Sequence, residues 1–378
     1  MKILIINSGS SSIKYRLFDT KLTASLCKGI VERIGSKRSS LTHTKSKAKP
    51  TTLNVYAKNH EDAIKHIFNA LTSKKDGVIA SYKDLDGIGH RIVHGTEVFT
   101  KPRIITDKVI KILEKFNHLA PLHNPPAILA VRACKRLAKG IRQVGVFDTA
   151  FYNTIPDYAY IYGIPYEFYS KDRIRRYGFH GTSHKFVAKE AAKALKKPLS
   201  KLKLITCHLG NGCSITAVKN AKAIDTSMGF TPLEGLLMGT RCGDIDPAVV
   251  LYIMDKRKLN IRQMDNLLNK ESGILGLSGI SNDMRDVLNA LGKHNKRAEL
   301  TVEIFLHRVK KYIGAYAASM DGLDAVVLTA GIGENAPLIR KRIQNDLKGF
   351  LKKLNAKLLV IPTNEELMIA QESAEILK

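Results

Sequence analysis

The feature that most limits what this chain can fold into occurs twice. Near the N-terminus the apolar, β-prone run Ile3-Leu4-Ile5-Ile6 breaks at Asn7-Ser8-Gly9-Ser10-Ser11-Ser12 and resumes as Ile13-Lys14-Tyr15-Arg16-Leu17-Phe18. In the second half Leu204-Ile205-Thr206-Cys207-His208 breaks at Leu209-Gly210-Asn211-Gly212-Cys213-Ser214 and resumes as Ile215-Thr216-Ala217-Val218. Short apolar runs on either side of a polar or glycine-rich turn read as paired strands. Such turns aim backbone N–H groups and hydroxyls at one spot, which suits phosphate oxygens. Each copy is expected to end its second strand on an acidic residue, Asp19 in one and Asp225 in the other. The repeat predicts one architectural unit used twice, with a phosphate-rich ligand between the copies.

At 378 residues the chain exceeds one ordinary core, and two domains of roughly 150–200 residues are expected. Helical spacing over 60–71 puts Ala63, Ile64, Ile67, Phe68 and Leu71 on one face. The polar, basic stretch 35–52 reads as an exposed loop or hairpin. Residues 86–94 read as a strand leading to a loop, 124–137 as a helix, and 144–147 as a buried strand ending at Asp148. A lysine-rich amphipathic helix is expected over 183–195, capped by Ser183 or Thr182. Strands over 204–226 precede a helix opened by Asp246 with Pro247 at its first position. A long helix covers 299–320. The strand 325–329 stops at a turn over 330–335 that leads to another helix, and 358–361 and 363–377 are a last strand and a last helix. Strand groups followed by helices, twice over, mean an α/β fold. The absence of G-x-x-x-x-G-K-[ST] excludes a P-loop protein. Gly331-Ile332-Gly333 lacks the third glycine of the dinucleotide fingerprint, which leaves a Rossmann dehydrogenase as the lesser alternative.

Hydrophobic content of 44% with 25% charged residues is that of a soluble globular protein. No apolar run approaches the ~18 residues of a membrane span. The stretch after Lys2 turns polar at Asn7, which fits no signal peptide, and a cytoplasmic location is expected. Cys27, Cys134, Cys207, Cys213 and Cys242 are odd in number, widely spaced and without C-x-x-C. That pattern argues against a disulfide framework and a zinc site and for buried free thiols. The net charge of +27, from 61 Lys and Arg against 34 Asp and Glu, raises nucleic-acid binding. The basic residues are instead dispersed, as over 193–203, 293–297 and 340–357, and Trp is absent, so no stacking platform is visible. A solvated lysine surface is expected, one that still attracts an anionic substrate.

Three glycine-flanked segments concentrate the chemistry. In Arg175-Arg176-Tyr177-Gly178-Phe179-His180-Gly181-Thr182-Ser183-His184, His180 stands just before a helix. It either donates to a developing phosphoryl charge or is satisfied at a helix N-terminus. Arg241 in Gly239-Thr240-Arg241-Cys242-Gly243-Asp244 and Arg91 in Gly89-His90-Arg91-Ile92-Val93-His94-Gly95 suit bidentate binding of phosphate and carboxylate. Either arginine alone reads more often as a surface ion pair. Asp148 is a magnesium or general-base candidate, or the cap of the next turn. Asn7 and Lys14 flank the first turn, where a lysine meets a phosphate as a point charge. Asp283-Met284-Arg285 either holds a nucleoside or opens a helix.

The motifs at 7–15 (NSGSSSIKY), 175–184 (RRYGFHGTSH), 208–212 (HLGNG), 225–246 (DTSMGFTPLEGLLMGTRCGDID), 330–335 (AGIGEN) and 363–367 (TNEEL) together resemble the acetate kinase family, almost end to end and in its order. That family lies within the group sharing the actin, sugar-kinase and heat-shock ATPase fold. The resemblance implies duplicated ribonuclease-H-like domains with mixed sheets, flanking helices and an interdomain cleft. The first domain would cover 1–150 completed by the helix 364–378, and the second 151–363 with most of the nucleotide site. The implied reaction is reversible, MgATP-dependent phosphorylation of acetate to acetyl phosphate by direct in-line transfer. It uses Mg2+ (or Mn2+), has ATP/ADP as co-substrate, and is carried out by a homodimer.

In that picture Asn7 and Glu365 support the metal, and Lys14 meets the nucleotide phosphates. Arg91 and Arg241 orient the carboxylate and the phosphoryl group. Asp148 is the acid/base or metal-linked group, and His180 with Arg241 stabilises the transition state. His208, Leu209, Gly210, Asn211 and Gly212 line the phosphate path. Asp283, Met284 and Arg285, with Gly331, Ile332, Gly333, Glu334 and Asn335, surround adenosine. Val93, Leu122, Phe179 and Pro232 form the pocket for the acetate methyl. Phosphoryl transfer asks chiefly for positioning and charge stabilisation, which such a set supplies.

Thr363-Asn364-Glu365-Glu366 fits a capping box with Thr363 as N-cap and Glu366 reaching back, which leaves Glu365 for the metal. With Asn364 as the cap, an exchange of roles between the two glutamates is left open. The chain departs from the family at Cys213 and Cys242, where small residues are usual, in a shorter stretch between 335 and 363, and in its lysine excess. The sibling alternatives are a propionate or butyrate kinase and a pyrophosphate-dependent acetate kinase. One methylene of pocket space changes selectivity by only ~1–3 kcal/mol; Val93 favours acetate, and the glycines at 331 and 333 leave room for adenine. The alternative from another class is a basic nucleic-acid-binding protein on a kinase fold, against which the intact Asn7, Arg91, Asp148, His180 and Arg241 speak.

Overall fold

The computed structural model describes residues 1–21, 24–46, 48–120 and 123–378, which divide into two units: Met1–Ala150 with Asn364–Lys378, and Phe151–Thr363. In the first unit the strands are β1 (Lys2–Ser8), β2 (Ser12–Asp19), β3 (Ala24–Glu32), β4 (Ser40–Lys45), β5 (Thr51–Asn54), β6 (Gly87–Ile92), β7 (Arg103–Ile104) and β8 (Gln143–Phe147). They form one sheet in the order β5-β4-β3-β2-β1-β6-β8-β7. The polar stretch 35–52 supplies β4 and the start of its hairpin partner β5.

Strand β1 is apolar from Ile3 to Ile6 because both of its faces are covered there. Its pleat sends Leu4 and Ile6 to one side, where they pack with Ile64, Ile67 and Leu71 of the helix His60–Leu71 and Ala130 and Ala133 of the helix Asn124–Leu137. Ile3 and Ile5 point to the other side, onto Ile369, Ala370, Ala374 and Leu377 of the helix Glu365–Leu377. This second face is why the last helix belongs to the first unit. The helix His60–Leu71 buries the five apolar residues expected of it and is capped by Asn59, whose side chain accepts from the Asp62 N–H at 3.0 Å.

The second unit contains β9 (Lys203–Leu209), β10 (Cys213–Lys219), β11 (Lys222–Thr226), β12 (Ala325–Thr329) and β13 (Lys357–Val360), in the order β11-β10-β9-β12-β13. Its first three strands run antiparallel and the last two parallel to β9. The succession β3-β2-β1-β6-β8 of the first unit has the same pattern. The duplicated unit expected from the repeat, and the ribonuclease-H-like strand order that the resemblance implies, are therefore present in both units.

Several local expectations give way to tertiary structure. Asp19 closes β2 and lies 3.8 Å from the terminal amine, but Asp225 falls on β11, one strand later than expected. The reason is the hairpin turn after Lys219: Asn220 and Ala221 both take positive φ, 53° and 66°, the geometry of a two-residue turn that reverses the chain. Residues 330–335, expected as a turn, form the short helix Ala330–Asn335, and the glycine-rich segment after 272 forms the helix Gly273–Ser278. The long helix begins at Lys296, ahead of the expected start, because Asn295 caps it by accepting from the Ala298 N–H at 3.0 Å. Asp246 caps the helix Pro247–Arg257 as expected. Among the described residues no helix is long and apolar enough to cross a membrane.

Candidate active site

In the first unit, the parallel strands β1, β6 and β8 bring Asn7, Arg91 and Asp148 to their carboxyl ends, where ligands of open α/β sheets collect. Arg91 donates from Nε (3.0 Å) and Nη2 (2.6 Å) to one oxygen, Oδ2 of Asp148, and its Nη1 lies 3.5 Å from Asn7 Oδ1. Asp148 is fully buried and Arg91 partly exposed. Burial opposes the charge on Arg91, but Asp148, Glu365 and Glu366 outweigh it and hold the guanidinium more firmly protonated than usual. Lys14 stands on β2 directly opposite Asn7.

Glu365 joins this group. Its carboxyl is raised above the ordinary range, first by burial and then by the charges of Asp148 and Glu366, with Arg91 and Lys14 pulling the other way. The capping box expected on Thr363 is not formed. Asn364 is the N-cap, accepting from the Leu367 N–H at 3.1 Å, so the helix starts one residue later than the box required. Glu366, released from capping, reaches Arg16 at 3.5 Å. Thr363 is used in the second unit instead, where its N–H donates to Glu334 Oε1 at 3.0 Å.

Among the described residues, no group of three or more His, Cys, Asp and Glu side chains could hold a metal alone. The set around Glu365 nevertheless suits a hard divalent cation: it offers the amide oxygen of Asn7 and crowded carboxylates whose mutual repulsion a cation relieves. Mg2+ takes few protein oxygens and completes its shell with water and substrate phosphate.

In the second unit, His180 is the N-cap of the helix Gly181–Leu195 and adopts the left-handed region, φ 58° and ψ 23°. Thr182 and Ser183, expected as caps, lie inside the helix. The Ser183 hydroxyl turns to His208 Nδ1 and Thr363 Oγ1, each at 2.8 Å. A non-glycine residue held at positive φ is uncommon and marks a position where surroundings override backbone preference. The His180 ring stacks on His208 with centroids 4.2 Å apart and 19° between planes, and its Nδ1 is 2.8 Å from Ser214 Oγ. Ser214 Oγ is also 2.8 Å from Nε2 of the buried His184, whose Nδ1 is 2.7 Å from Thr206 Oγ1. Burial, and secondarily His208, hold His184 well below the ordinary histidine range.

Arg241 approaches the same point from the loop 235–244. A Cβ placed on Gly212 would lie 3.3 Å from His180 Cε1, 3.4 Å from its Nε2 and 3.6 Å from Arg241 Nη1. The hydrogen of Gly212 thus leaves open the small space on which imidazole and guanidinium converge. Arg241 donates to the Pro232 carbonyl at 3.0 Å. Among the described residues no carboxylate pairs with it, and burial pulls its pKa down, so its charge is uncompensated. The loop is anchored by Asp244, which accepts from the Gly235 N–H (2.9 Å) and the Tyr312 hydroxyl (2.9 Å) and pairs with Arg308 (3.4 Å).

Beside these residues a cavity of about 440 Å³ is lined by Gly210, Asn211, Asn282, Asp283, Met284, Arg285, Gly331, Ile332, Asn335 and Ala336. Its size lies in the usual range for a small-molecule ligand. Asp283 both caps the helix Met284–Leu291 and pairs with Arg285. Gly333 packs behind this wall, against Leu328 and Leu209. Glu334 lies behind it too: its carboxylate accepts from the Ala330 N–H (2.7 Å) and the Thr363 N–H (3.0 Å), bracing the short helix. Of the residues expected around the methyl group, Val93 is buried at the end of β6 in the first unit. Phe179 is buried and Pro232 half-buried in the second, and Leu122 lies outside the described residues. Asn282, Ala336, Ser214 and His184 were not singled out from sequence. The i, i+4 spacing of His180 and His184, and the alternation that puts Ser214 and Thr216 on one face of β10, are the signals that could have found two of them.

The thiols near the site are quiet. Burial pushes Cys213 up to about 12 and raises Cys242 as well, and their sulfurs sit 3.1 and 3.2 Å from the Gly210 and Gly243 carbonyls. A thiol so far from its thiolate is a poor target for oxidation.

Residues 2–354 match the model of the acetokinase family. The acetate kinase of Halothermothrix orenii is 52% identical over 398 aligned positions that span all of both chains. That of Caldanaerobacter subterraneus subsp. tengcongensis is also 52% identical, over all of this chain and 99% of its own. The crystal structure of Porphyromonas gingivalis acetate kinase superposes over the whole of both chains with a TM-score of 0.95 at 42% identity. A propionate kinase from Francisella tularensis reaches 0.90 over 98% of each chain, also at 42% identity.

Proposed function

The chain belongs to the acetokinase family, and on that premise we propose that it transfers the γ-phosphoryl group of ATP to acetate, reversibly, giving acetyl phosphate and ADP. The observation that carries the reading is the convergence of His180 and the uncompensated Arg241 on the open space above Gly212. Donors held in place before the reaction stabilise charge as it develops, without reorganising.

The remaining residues take roles from their surroundings. Acetate is already a carboxylate near neutral pH, so the acceptor needs no base. Asp148, with one oxygen accepting twice from Arg91, acts through that arginine. It turns the guanidinium so that Nη1, on the Asn7 side, is directed to the carboxylate. Val93 of the first unit and Phe179 and Pro232 of the second are the apolar residues assigned to the methyl group. Lys14 and the turn from His208 through Leu209, Gly210, Asn211 and Gly212 meet phosphates. The cavity beside Asp283, Met284 and Arg285, and Gly331, Ile332 and Asn335, takes the adenosine, with Gly333 and Glu334 supporting its wall. Mg2+, held by Asn7 and Glu365 and replaceable by Mn2+, would neutralise phosphate charge.

The same reading makes the enzyme a cytoplasmic homodimer. The helix Pro247–Arg257 buries none of its residues, and Val249, Leu251 and Tyr252 are 41, 68 and 63% exposed. A second copy of the chain is the partner proposed to cover them. The second reading, a propionate kinase, is favoured by the equally identical Francisella structure.

Hydroxylamine trapping of the acyl phosphate tests these readings. Hydroxamate is expected with ATP, Mg2+ and acetate, and kcat/KM is expected to be higher for acetate than for propionate or butyrate. Preference for propionate would establish the second reading, and product from pyrophosphate but not ATP would overturn the choice of donor. Steeply salt-dependent RNA or DNA binding without acyl phosphate would replace both with the nucleic-acid alternative.

A further inference from the structure

Building on the phosphotransferase reading, we propose that Ser214 and His184 are positioning residues that keep His180 as a neutral ring with its proton on Nε2, so that it donates to the transferring phosphoryl group without becoming an imidazolium.

The argument is one of hydrogen-bond polarity. His180 Nδ1, Ser214 Oγ, His184 Nε2 and Nδ1, and Thr206 Oγ1 form an unbroken chain with separations of 2.8, 2.8 and 2.7 Å. His184 is completely buried and neutral, so it carries one N–H and one acceptor nitrogen. Ser214 has one hydrogen to give to one of its two histidines. Only two polarities satisfy both facts.

In the first, His184 donates from Nδ1 to Thr206, Ser214 donates to His184, and His180 donates from Nδ1 to Ser214. A neutral His180 then presents a lone pair at Nε2, which would repel phosphoryl oxygens. The Thr206 hydroxyl must also find its acceptor in the Thr216 carbonyl, 3.4 Å away. In the second, Thr206 donates to His184 Nδ1, His184 donates from Nε2 to Ser214, and Ser214 donates to His180 Nδ1. Every hydroxyl hydrogen then lies in a bond of 2.7–2.8 Å, near the O–H···N and O–H···O optimum, and His180 carries its proton on Nε2.

The charges around the ring oppose the imidazolium, the one form in which the first polarity could donate from Nε2, so donation to the phosphoryl group requires the second. His180 sits at the N-terminus of the helix Gly181–Leu195, whose dipole is positive there. The Arg241 guanidinium lies across Gly212, and the His208 ring of β9 is stacked at 4.2 Å. On β10 the neighbouring Cys213 thiol is kept protonated by burial and offers no compensating anion. A further positive charge on His180 is unfavourable in this setting. A neutral histidine acting as electrophile at a helix N-terminus is a workable catalytic group, and which nitrogen bears its proton is set by the bond the other one makes.

The test is the 15N spectrum of histidine-labelled enzyme, with the His180 signals identified by their loss in His180→Asn. The wild type is expected to show the neutral Nε2–H pattern across the neutral range, independent of turnover. In Ser214→Ala the pattern should shift toward Nδ1–H, and kcat should fall about tenfold or more, with KM for ATP and acetate little changed. The kcat profile should gain a limb that falls as pH rises, because donation now requires the imidazolium. Ser214→Thr, which keeps the hydroxyl, should restore both the spectrum and the pH-independence. A wild-type His180 found as Nδ1–H or as imidazolium at neutral pH overturns the proposal, as does Ser214→Ala with an unchanged spectrum and profile. Should Ser214→Ala fail to fold, the wild-type and Ser214→Thr spectra still decide. The spectrum needs no turnover, so failure of the acyl phosphate assay would count against the phosphotransferase reading alone.

Discussion

Glu365 is held in a conflict that its own unit does not relieve. Burial and the charges of Asp148 and Glu366 raise its carboxyl, while Arg91 and Lys14 only partly offset them. A carboxyl whose folded-state pKa is raised favours the native state at low pH, and that contribution is lost as pH rises through the folded value. Without metal, Glu365→Gln is therefore expected to melt above the wild type at slightly alkaline pH, and the gain should vanish under acid, where Glu365 is protonated anyway. Adding Mg2+ should reverse the order, because a cation that binds the native carboxylate stabilises the wild type by mass action and the amide poorly. Thermal melts over pH with and without Mg2+ read both effects; a variant less stable at every pH would remove the assigned conflict. At His180 and Arg241 the expectation concerns rate. Alanine at either should lower kcat roughly 10²–10³-fold, the usual cost of one transition-state donor, and steady-state assays showing near-normal turnover would end that role. Arg241→Lys should rescue little, since a point charge cannot reproduce the planar fork.

The elements that carry these residues were legible to different degrees, for reasons that lie in the distance between partners. The helix His60–Leu71 and the helix opened by Asp246 follow from local periodicity and a neighbouring cap, and both formed where the residues indicated. The strand repeat was equally plain, because the apolar runs and the turns that break them are contiguous. The start of the helix Gly181–Leu195 was not, because Ser183 is drawn off by partners far along the chain, His208 and Thr363. The helix Ala330–Asn335 depends likewise on Glu334, which spans Ala330 and Thr363. Gly273 shows the same dependence at the site: it sits at φ 66° with its α-carbon against the Met238 carbonyl and the Arg241 backbone. Gly273→Ala should therefore destabilise the protein by about 1–3 kcal/mol through strain alone and, by moving Arg241, lower kcat more than it raises KM. Urea unfolding with steady-state kinetics separates the two, and a stable variant with normal kcat would free the Arg241 loop from this anchor. Asn364→Ala gives a cleaner case, an expected loss of about 1 kcal/mol from one lost cap.

Across the whole chain the net charge of +27 acts through the solvent rather than through pairs. Exposed couples such as Lys258–Asp255 and Lys171–Glu167 contribute little individually. The unmatched lysines and arginines raise the local concentration of anions and repel one another. Both effects fade as the Debye length shrinks from ~30 Å at 0.01 M salt to ~8 Å at 0.15 M. Over that range the melting temperature should rise, and KM for ATP and for acetyl phosphate should rise while kcat holds; a kcat that fell in step would point to the reacting residues instead. The exposed helix Pro247–Arg257 belongs to the same scale. Its apolar residues Val249, Leu251 and Tyr252 stand in solvent, beside the cations Lys256, Arg257 and Lys258. Exposed apolar patches of this kind mark interaction surfaces, and two copies can cover one by matching the same helix about a two-fold axis. Leu251→Glu combined with Tyr252→Glu puts like charges opposite one another in such a pairing, so light scattering should show dimer for the wild type and monomer for the double variant. Because both positions are exposed in the single chain, its own fold should be unaffected, and an unchanged molar mass would mean that the dimer, if formed, uses another face.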